Sequence, residues 1–264
     1  PWVDGVQYLG QKITTCTIRQ FDLVHIHGLW SLGLHRVAKM CRETGTPYVV
    51  SPRGMLDPQS LCRKWLKKRI ARLVYQDRDL LGAAAIHVTA DAEAEHVRAL
   101  GLENPLIIIP NGVTVPAKMF EPKAKGRDEQ KRALFVGRMH EQKGVLKLVE
   151  SWARVMNGEE WENGWVCELV YTMNSKEERA YEQKVRHRVH DLGLDGQFKF
   201  TGALDDDAKW GAYARANFLV LPSCSENFGI VVAEALWAGL PIITTKGTPW
   251  KEVEGVGEER TGRC

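Results

Sequence analysis

Two glutamates, Glu226 and Glu234, mark the stretch of this sequence best able to do chemistry. They lie in Ser-Cys-Ser-Glu-Asn-Phe-Gly-Ile-Val-Val-Ala-Glu, which follows an apolar run at residues 218–221. A helix is predicted to start at or just after Gly229. Glycine lets the backbone approach a ligand closely, and the start of a helix offers free N–H groups to the same ligand. Carboxylates accept hydrogen bonds from hydroxyls and repel phosphate. The stretch therefore predicts a polyhydroxylated ligand with phosphate at the helix end, and an ordinary capped helix with an acid near its start is the alternative.

A second stretch places a cation near each end of a turn bounded by glycines. An apolar run at residues 133–136 leads into Gly137-Arg138-Met-His-Glu-Gln-Lys143-Gly144. Arginine can fork onto phosphate oxygens, and lysine adds a point charge. Neither the Walker pattern nor Gly-x-Gly-x-x-Gly occurs, which disfavours P-loop and dinucleotide enzymes. The turn predicts an anion site, with solvated loop cations as the alternative.

Histidines and an arginine follow two predicted strands in the first half of the chain. The apolar run 21–26 ends in His25-Ile-His27-Gly. Alternate residues of a strand share a face, so His25 and His27 are predicted to lie together. For His25 a packing or supporting role is the alternative. Arg53, after the next strand, lies on the same rim and is predicted to touch phosphate or an acceptor.

These residues must be positioned by alternating strands and helices, which predict an α/β fold with parallel sheets and ligands at the carboxyl ends of the strands. The predicted strands are 46–51, 85–89, 106–109, 133–136, 166–172, 198–201, 218–221 and 241–245. The predicted helices are 32–43, 61–81, 92–100, 145–155, 177–192, 206–216 and 230–238.

One segment between the two halves has no apolar period. Residues 114–131 carry Pro116, Pro122, Gly126 and several charges, which is typical of a linker. The predicted division is a first Rossmann-like domain at 1–113, this linker, and a second domain at 132–264.

The predicted helix 61–81 has cations on one side and leucine or isoleucine on the other. An anionic membrane surface is one interpretation of the cations. The solvated side of an ordinary surface helix is the other, and it is favoured about two to one. The cations are Arg63, Lys64, Lys67, Lys68, Arg69 and Arg72, and the apolar stripe is Leu66, Ile70, Leu73 and Leu80.

Composition narrows the class of protein. The net charge of +3 over 264 residues is too small to indicate a protein that binds nucleic acid. No apolar run reaches transmembrane length, and the first residues do not form a signal peptide. Six scattered cysteines without metal-ligand spacing indicate reduced thiols in a cytosolic protein. The chain lacks an initiating Met and stops abruptly, so a fragment cut at both ends is expected.

Together these motifs resemble the retaining glycosyltransferases of family 4. That resemblance implies the GT-B fold, in which two Rossmann-like domains with parallel sheets face each other across a cleft. It extends over essentially all of the chain, and the tail 246–250 is similar to a bacterial branch that makes surface polysaccharides. The matching motifs are Val-His25-Ile-His27-Gly, Pro110-Asn-Gly-Val113, Gly137-Arg138 to Lys143-Gly144, and Glu226-x7-Glu234 with Gly239-x-Pro241.

The resemblance implies a role for each matching residue. The expected catalytic residues are His27 close to the reacting sugar, Glu226 beside the transferred sugar, and Arg138 and Lys143 on the donor diphosphate. Expected donor contacts also come from Asn227, Phe228 and Gly229 through their backbone N–H groups, and from Glu234 on the ribose. Arg53 and His25 are expected on the acceptor side.

The expected activity is transfer of a hexose from a nucleotide-diphosphate donor, UDP or GDP, to a glycan or lipid-linked acceptor with retention of configuration. No metal or other cofactor is expected. The expected location is cytoplasmic, with a peripheral position on the inner face of the membrane. A catalytically inactive sugar-nucleotide-binding or membrane-associated scaffold is the alternative, and an epimerase or a phosphorylase is a rival on the same fold. The motifs specify neither the base, the sugar nor the acceptor.

Overall fold

The computed structural model describes residues 13–116, 130–156 and 164–250. The chain divides into two compact units, Pro1–Pro110 and Asn111–Cys264. Each unit contains one parallel sheet with helices, and the two sheets have four and five strands. The α/β prediction is therefore confirmed.

The first unit is built on four parallel strands in the order β1-β2-β3-β4. Its strands β2 and β3 are buried along their whole length, as parallel strands covered on both faces are. The strands are β1 (Val24–His27), β2 (Tyr48–Ser51), β3 (Ala85–Val88) and β4 (Leu106–Ile108). The helices are α1 (Thr15–Ile18), α2 (Leu32–Thr44), α3 (Pro58–Cys62), α4 (Trp65–Ala71), a π-helical turn (Arg72–Gln76), α5 (Asp77–Leu81) and α6 (Asp91–Ala99).

The second unit has five parallel strands in the order β7-β6-β5-β8-β9. Its strands are β5 (Lys131–Arg138), β6 (Trp165–Thr172), β7 (Phe198–Gly202), β8 (Phe218–Leu221) and β9 (Ile242–Thr244). Its helices are a 3-10 turn (Glu141–Lys143), α7 (Val145–Met156), α8 (Lys176–Asp191), α9 (Asp206–Arg215) and α10 (Ile230–Trp237). Residues of β5 pack on both faces of the sheet. Ala133 and Phe135 belong to one apolar core, and Leu134 and Val136 belong to the other.

The strand order creates a switch point between β5 and β8. From β5 the chain runs outward through β6 to β7, then returns to β8 on the other side of β5. Open α/β sheets bind ligands at such a switch point, beyond the carboxyl ends of the strands, so the loops after β5 and β8 are where a site is expected. Lys143 lies in the loop after β5, and Glu226 lies in the loop after β8.

The prediction of one continuous helix at 61–81 is wrong. The chain breaks at Lys64, whose backbone is left-handed at φ 53°, and it widens into a π-helical turn after Ala71. The predicted apolar stripe is not a buried face either. Leu80 is buried, but Leu66, Ile70 and Leu73 are more than half exposed. The break at Lys64 and the π-helical turn shift the helical phase, so the apolar period of the sequence does not correspond to one face of a helix.

The predicted linker overlaps the second sheet at one residue. Lys131 is the first residue of β5 rather than the last of the linker. Most of the linker, 117–129, and the chain end from 251 lie outside the described residues.

Candidate functional site

Three loops at the strand ends of the second unit are joined by backbone hydrogen bonds. They are the β5 loop (139–144), the β8 loop (222–229) and the β9 loop (245–250). The Cys224 N–H donates to the Gln142 carbonyl at 2.8 Å, and the Glu226 N–H donates to the Gly247 carbonyl at 3.0 Å. Because backbone atoms make these links, the loops form one platform whose side chains keep a defined relative position.

Two glycines permit the close approach of these loops. A Cβ on Gly144, which has φ +70°, would lie 2.1 Å from the Pro222 carbonyl oxygen. A Cβ on Gly247 would lie 2.2 Å from the Cys224 carbonyl oxygen. Contacts this short with backbone atoms require the loops to separate, so both positions need glycine.

The platform brings together the lysine of one loop and the glutamate of the next. The Lys143 ammonium lies 2.6 Å from Glu226 Oε1, which also accepts a hydrogen bond from the Ser223 hydroxyl at 2.6 Å. The Lys143 side chain is 17% exposed and that of Glu226 is 9% exposed. A cation and a carboxylate side by side at the strand ends of a sheet suit a ligand that carries both phosphate and hydroxyl groups.

Arg138 also faces a carboxylate. Its guanidinium lies 3.6 Å from Glu178 Oε1, near the start of α8, and more than half of the Arg138 side chain is exposed. Glu178 Oε2 accepts from the Asn174 N–H at 2.6 Å, which fixes the carboxylate in place. The two predicted phosphate-binding cations thus each contact an acid, and only the partner of Lys143 belongs to a sequence motif.

The β8 loop ends at the N-terminus of α10. Gly229 adopts φ 75° at this point, and it has no side chain to cap the helix. The Asn227 side-chain oxygen is buried and has no hydrogen-bond partner within the described part of the chain. The indole of Trp250 packs on Phe228 at 5.2 Å between ring centroids and donates to the Phe228 carbonyl. The β8 loop is therefore held in place from the side of the β9 loop.

Glu234 has internal partners on both carboxylate oxygens. Oε1 accepts from Lys209 at 2.9 Å, and Oε2 accepts from the Tyr213 hydroxyl at 2.7 Å. Burial and then the Glu234 charge raise the pKa of Tyr213. Burial opposes charge on Lys209, but the hydrogen bond and charge of Glu234 raise its pKa. Each carboxylate oxygen can accept a second hydrogen bond, so these partners orient the group without saturating it.

In the first unit, His25 and His27 project from the same exposed face of β1, as the strand alternation predicts. Their rings are 4.1 Å apart between centroids. Arg53 donates to His27 Nδ1 from Nε at 3.3 Å and from a terminal nitrogen at 3.1 Å. His87 of β3 contacts His25, with 3.2 Å between His87 Nδ1 and His25 Nε2.

Sequence reasoning missed four of these residues. His87 had a usable signal, since it is a histidine near the end of an otherwise apolar strand. Glu178, Lys209 and Tyr213 had none, because no motif includes them and only their packing against Arg138 or Glu234 selects them.

Comparison with known families agrees with this architecture. The family model for glycosyl transferases group 1 matches residues 118–264, and the model for a glycosyl transferase 4-like domain matches residues 5–112. Among curated proteins, the phosphatidyl-myo-inositol mannosyltransferase of Mycobacterium leprae is 27% identical over 255 residues, which cover 90% of this chain and 59% of that enzyme. The MMP alpha-(1->4)-mannosyltransferase of Mycolicibacterium hassiacum is 24% identical over 253 residues, 89% of this chain and 56% of that enzyme. The chain spans about half the length of the curated relatives it matches.

Solved structures show the same fold. Sucrose-phosphate synthase from Thermosynechococcus elongatus matches with a TM-score of 0.71 and 22% identity over 87% of this chain and 57% of that one. Anabaena HepE in complex with UDP-glucose matches with a TM-score of 0.68 and 19% identity over 90% of this chain and 63% of that one. With two Rossmann-like units and a family model that matches more than half of its length, the chain belongs to the glycosyl transferases group 1 family, of the GT-B fold.

Proposed function

We propose that the second unit binds a nucleotide-diphosphate hexose and supports its transfer, with retention and without a metal ion, to a hydroxyl of a glycan or lipid-linked acceptor. The observation that carries this proposal is the contact of Lys143 with Glu226 on the three-loop platform. In the absence of donor the two groups neutralise each other. When donor binds, its phosphate pairs with the Lys143 ammonium and its sugar hydroxyls donate hydrogen bonds to the Glu226 carboxylate. These two contacts with the donor replace the ion pair between Lys143 and Glu226.

The same residues fit the chemistry of the transfer. The bond between the anomeric carbon and the phosphate oxygen breaks, and its electron pair leaves with the diphosphate. Lys143, Arg138 and the N–H groups at the start of α10 stabilise that developing anion. The acceptor oxygen bonds to the anomeric carbon on the same face, and its proton passes to the leaving phosphate. These fixed positive groups take the place that a metal ion holds in other phosphate-leaving reactions.

The relatives support a hexose as the transferred group. Two of the curated relatives are named mannosyltransferases, and the Anabaena HepE structure contains UDP-glucose. We therefore propose UDP or GDP as the nucleotide. We further propose that Glu234 contacts the ribose through the acceptor capacity that Lys209 and Tyr213 leave open.

Transfer in the presence of excess EDTA tests the reaction class. The protein is incubated with UDP- or GDP-hexose and a glycan acceptor, and the released diphosphate and the anomeric proton of the product are followed by NMR. We expect undiminished release in EDTA and a product with the anomeric configuration of the donor. Loss of activity that added magnesium restores would overturn metal independence, and an inverted product would overturn retention.

A second proposal concerns the face of the first unit formed by residues 63–74. We propose that this face binds an anionic bilayer. Five large apolar side chains on it are between 54% and 81% exposed, and Lys64, Lys67 and Arg69 are exposed among them. An exposed apolar patch with basic neighbours is the chemistry of an interfacial segment. The apolar side chains are Trp65, Leu66, Ile70, Leu73 and Val74. No helix within the described residues is long and apolar enough to cross a membrane.

Liposome flotation tests this membrane proposal. We expect the chain to float with vesicles rich in phosphatidylglycerol and to stay behind with phosphatidylcholine alone. Leu73→Ser combined with Val74→Ser should reduce flotation at least about tenfold, because each buried CH₂ contributes about 0.8 kcal/mol. The matched control is Leu32→Ser, since Leu32 is equally exposed but lies on α2. Equal flotation of the double variant and the control would contradict the proposal.

A further inference from the structure

We propose that Arg53 and His87 are positioning residues that fix the tautomers of His27 and His25, so that His27 presents only a donor and His25 only an acceptor to a ligand hydroxyl. This inference rests on the proposed function for its biological meaning. The assignment itself depends only on contacts within the first unit.

The tautomer of His27 follows from its partner. A guanidinium has only donors, so both contacts from Arg53 require an unprotonated Nδ1 on His27. A neutral imidazole carries one proton, and here it must be on Nε2. His27 can then donate a hydrogen bond through Nε2, but it has no free lone pair with which to accept a proton. The arrangement makes His27 a hydrogen-bond donor and excludes it as a general base while Arg53 stays in place.

The tautomer of His25 follows from two successive contacts. His87 Nε2 lies 3.0 Å from the Ile109 carbonyl oxygen, which only accepts, so the proton of His87 is on Nε2. In the neutral ring that carries this proton, Nδ1 is an acceptor. His25 must then donate through Nε2 at 3.2 Å, and its Nδ1 is left as an acceptor.

The surroundings favour neutral imidazoles. Partial burial lowers the pKa of His25 to about 4, together with the repulsion that protonated His27 or His87 would add and the charge of Arg53. Partial burial and then Arg53 and His87 lower the pKa of His27. The carboxylate of Glu93 on α6 is directed to the Gly54 and Thr89 N–H groups rather than to the histidines.

A donor beside an acceptor matches one chemical group, the hydroxyl, which accepts and donates at once. Ser51 lies opposite His27 in the β1–β2 register, and its hydroxyl is buried and lacks a hydrogen-bond partner among the described residues. Polar capacity is thus unfilled beside the histidine pair. A sugar hydroxyl fits these groups better than an anion does, since an anion would leave the His25 acceptor facing like charge.

Long-range ¹H–¹⁵N correlation of the imidazoles in the 264-residue chain tests the assignment without any ligand. We expect His27 to be protonated at Nε2 alone at neutral pH and to titrate below its ordinary value of 6.5. In Arg53→Met, we expect the two His27 tautomers to exchange and the titration midpoint to rise towards 6.5. Arg36→Met is the matched control, because Arg36 is an exposed arginine of α2 in the same unit. Protonation of His27 at Nδ1 in the unaltered chain would overturn the proposal.

Two further variants separate positioning from simple packing. His87→Gln keeps a side-chain acceptor for His25 and should keep the His25 tautomer, whereas His87→Leu should lose it. In the transfer assay, His27→Gln retains a donor at the Nε2 position and should stay within about tenfold of the unaltered protein. His27→Ala should fall about a hundredfold. Equal losses would indicate a general base, for which contributions of about 10² to 10⁴ are usual, and would contradict the assignment. The NMR experiment tests the tautomer assignment independently of whether the second unit binds nucleotide.

Discussion

Replacing Lys143 with alanine is expected to lower the turnover number for sugar transfer by about two to three orders of magnitude. Loss of one fixed group that stabilises a developing oxyanion typically costs this much. Lys143 fits that role because its ammonium is held on the platform by Glu226 and little of it is exposed. The measurement is the rate of nucleoside diphosphate release under saturating donor.

The matched control is Lys147→Ala, which removes an exposed lysine one turn further on that contacts the Cys224 sulfur at 3.5 Å. In Lys143→Ala the Glu226 carboxylate loses its cation, and an unpaired carboxylate can destabilise the loops. The double variant Lys143→Ala with Glu226→Gln removes that unpaired charge. A Lys143→Ala enzyme within about threefold of the unaltered enzyme would contradict the role given to this lysine.

Glu168→Gln is expected to lower the free energy of unfolding of the second unit by about 3–5 kcal/mol, because it removes the acid from a buried ionic network. Glu168 is 0% exposed, and Arg215 donates to both of its oxygens, at 2.8 and 3.1 Å. Arg132 donates at 3.1 Å and the Thr201 hydroxyl at 2.9 Å. The network joins the starts of β5 and β6 to β7 and the end of α9, away from the platform.

The contribution of Glu168 should also depend on pH. Burial alone would raise its pKa, but hydrogen bonds from Arg215 and Thr201 and the charges of Arg215 and Lys199 lower it to about 2 from 4.5. Such a difference corresponds to about 3 kcal/mol. A carboxyl whose pKa is lowered on folding stabilises the protein above its unfolded pKa and loses that effect as the pH falls. The stability difference between the unaltered chain and Glu168→Gln should therefore shrink as the pH falls from 4.5 towards 2.

Urea denaturation at several pH values, followed by circular dichroism, measures both effects. Glu150→Gln is the matched control, because Glu150 is an exposed carboxylate of α7 that pairs with the surface residue Arg188 at 3.6 Å. A stability loss from Glu168→Gln no larger than that from Glu150→Gln would show that the network contributes little.

The sequence predicts the parts of this protein that depend on local patterns. Apolar runs alternate with helical periods, and this alternation is enough to predict parallel sheets. Lys143 and Glu226 are found because the loops that carry them follow strands directly. Their contact is not predictable from either motif, since it depends on β8 returning beside β5 and on Gly144 allowing the Pro222 carbonyl to approach.

The failures have physical causes as well. The prediction of a helix at 61–81 requires the apolar period to continue through Lys64. The backbone of Lys64 is left-handed, and no residue pattern in the sequence indicates this. The partners of Arg138 and Glu234 lie on helices α8 and α9, outside every motif, and only the packing of these helices identifies them. The position of His87 near the end of an apolar strand is a weak signal, because a single histidine there usually packs in a core. Its role depends on contact with His25 across β2.

Calorimetric titration with UDP, GDP and ADP tests the central claim that the second unit is a nucleotide-sugar site. We expect one of UDP and GDP to bind selectively, and we expect Arg138→Ala and Lys143→Ala each to weaken that binding about tenfold or more, in keeping with the loss of a charge-assisted contact to phosphate. Lys147→Ala should bind as the unaltered chain does. Binding that is indifferent to Arg138 and Lys143, or no binding by a folded chain, would contradict the account.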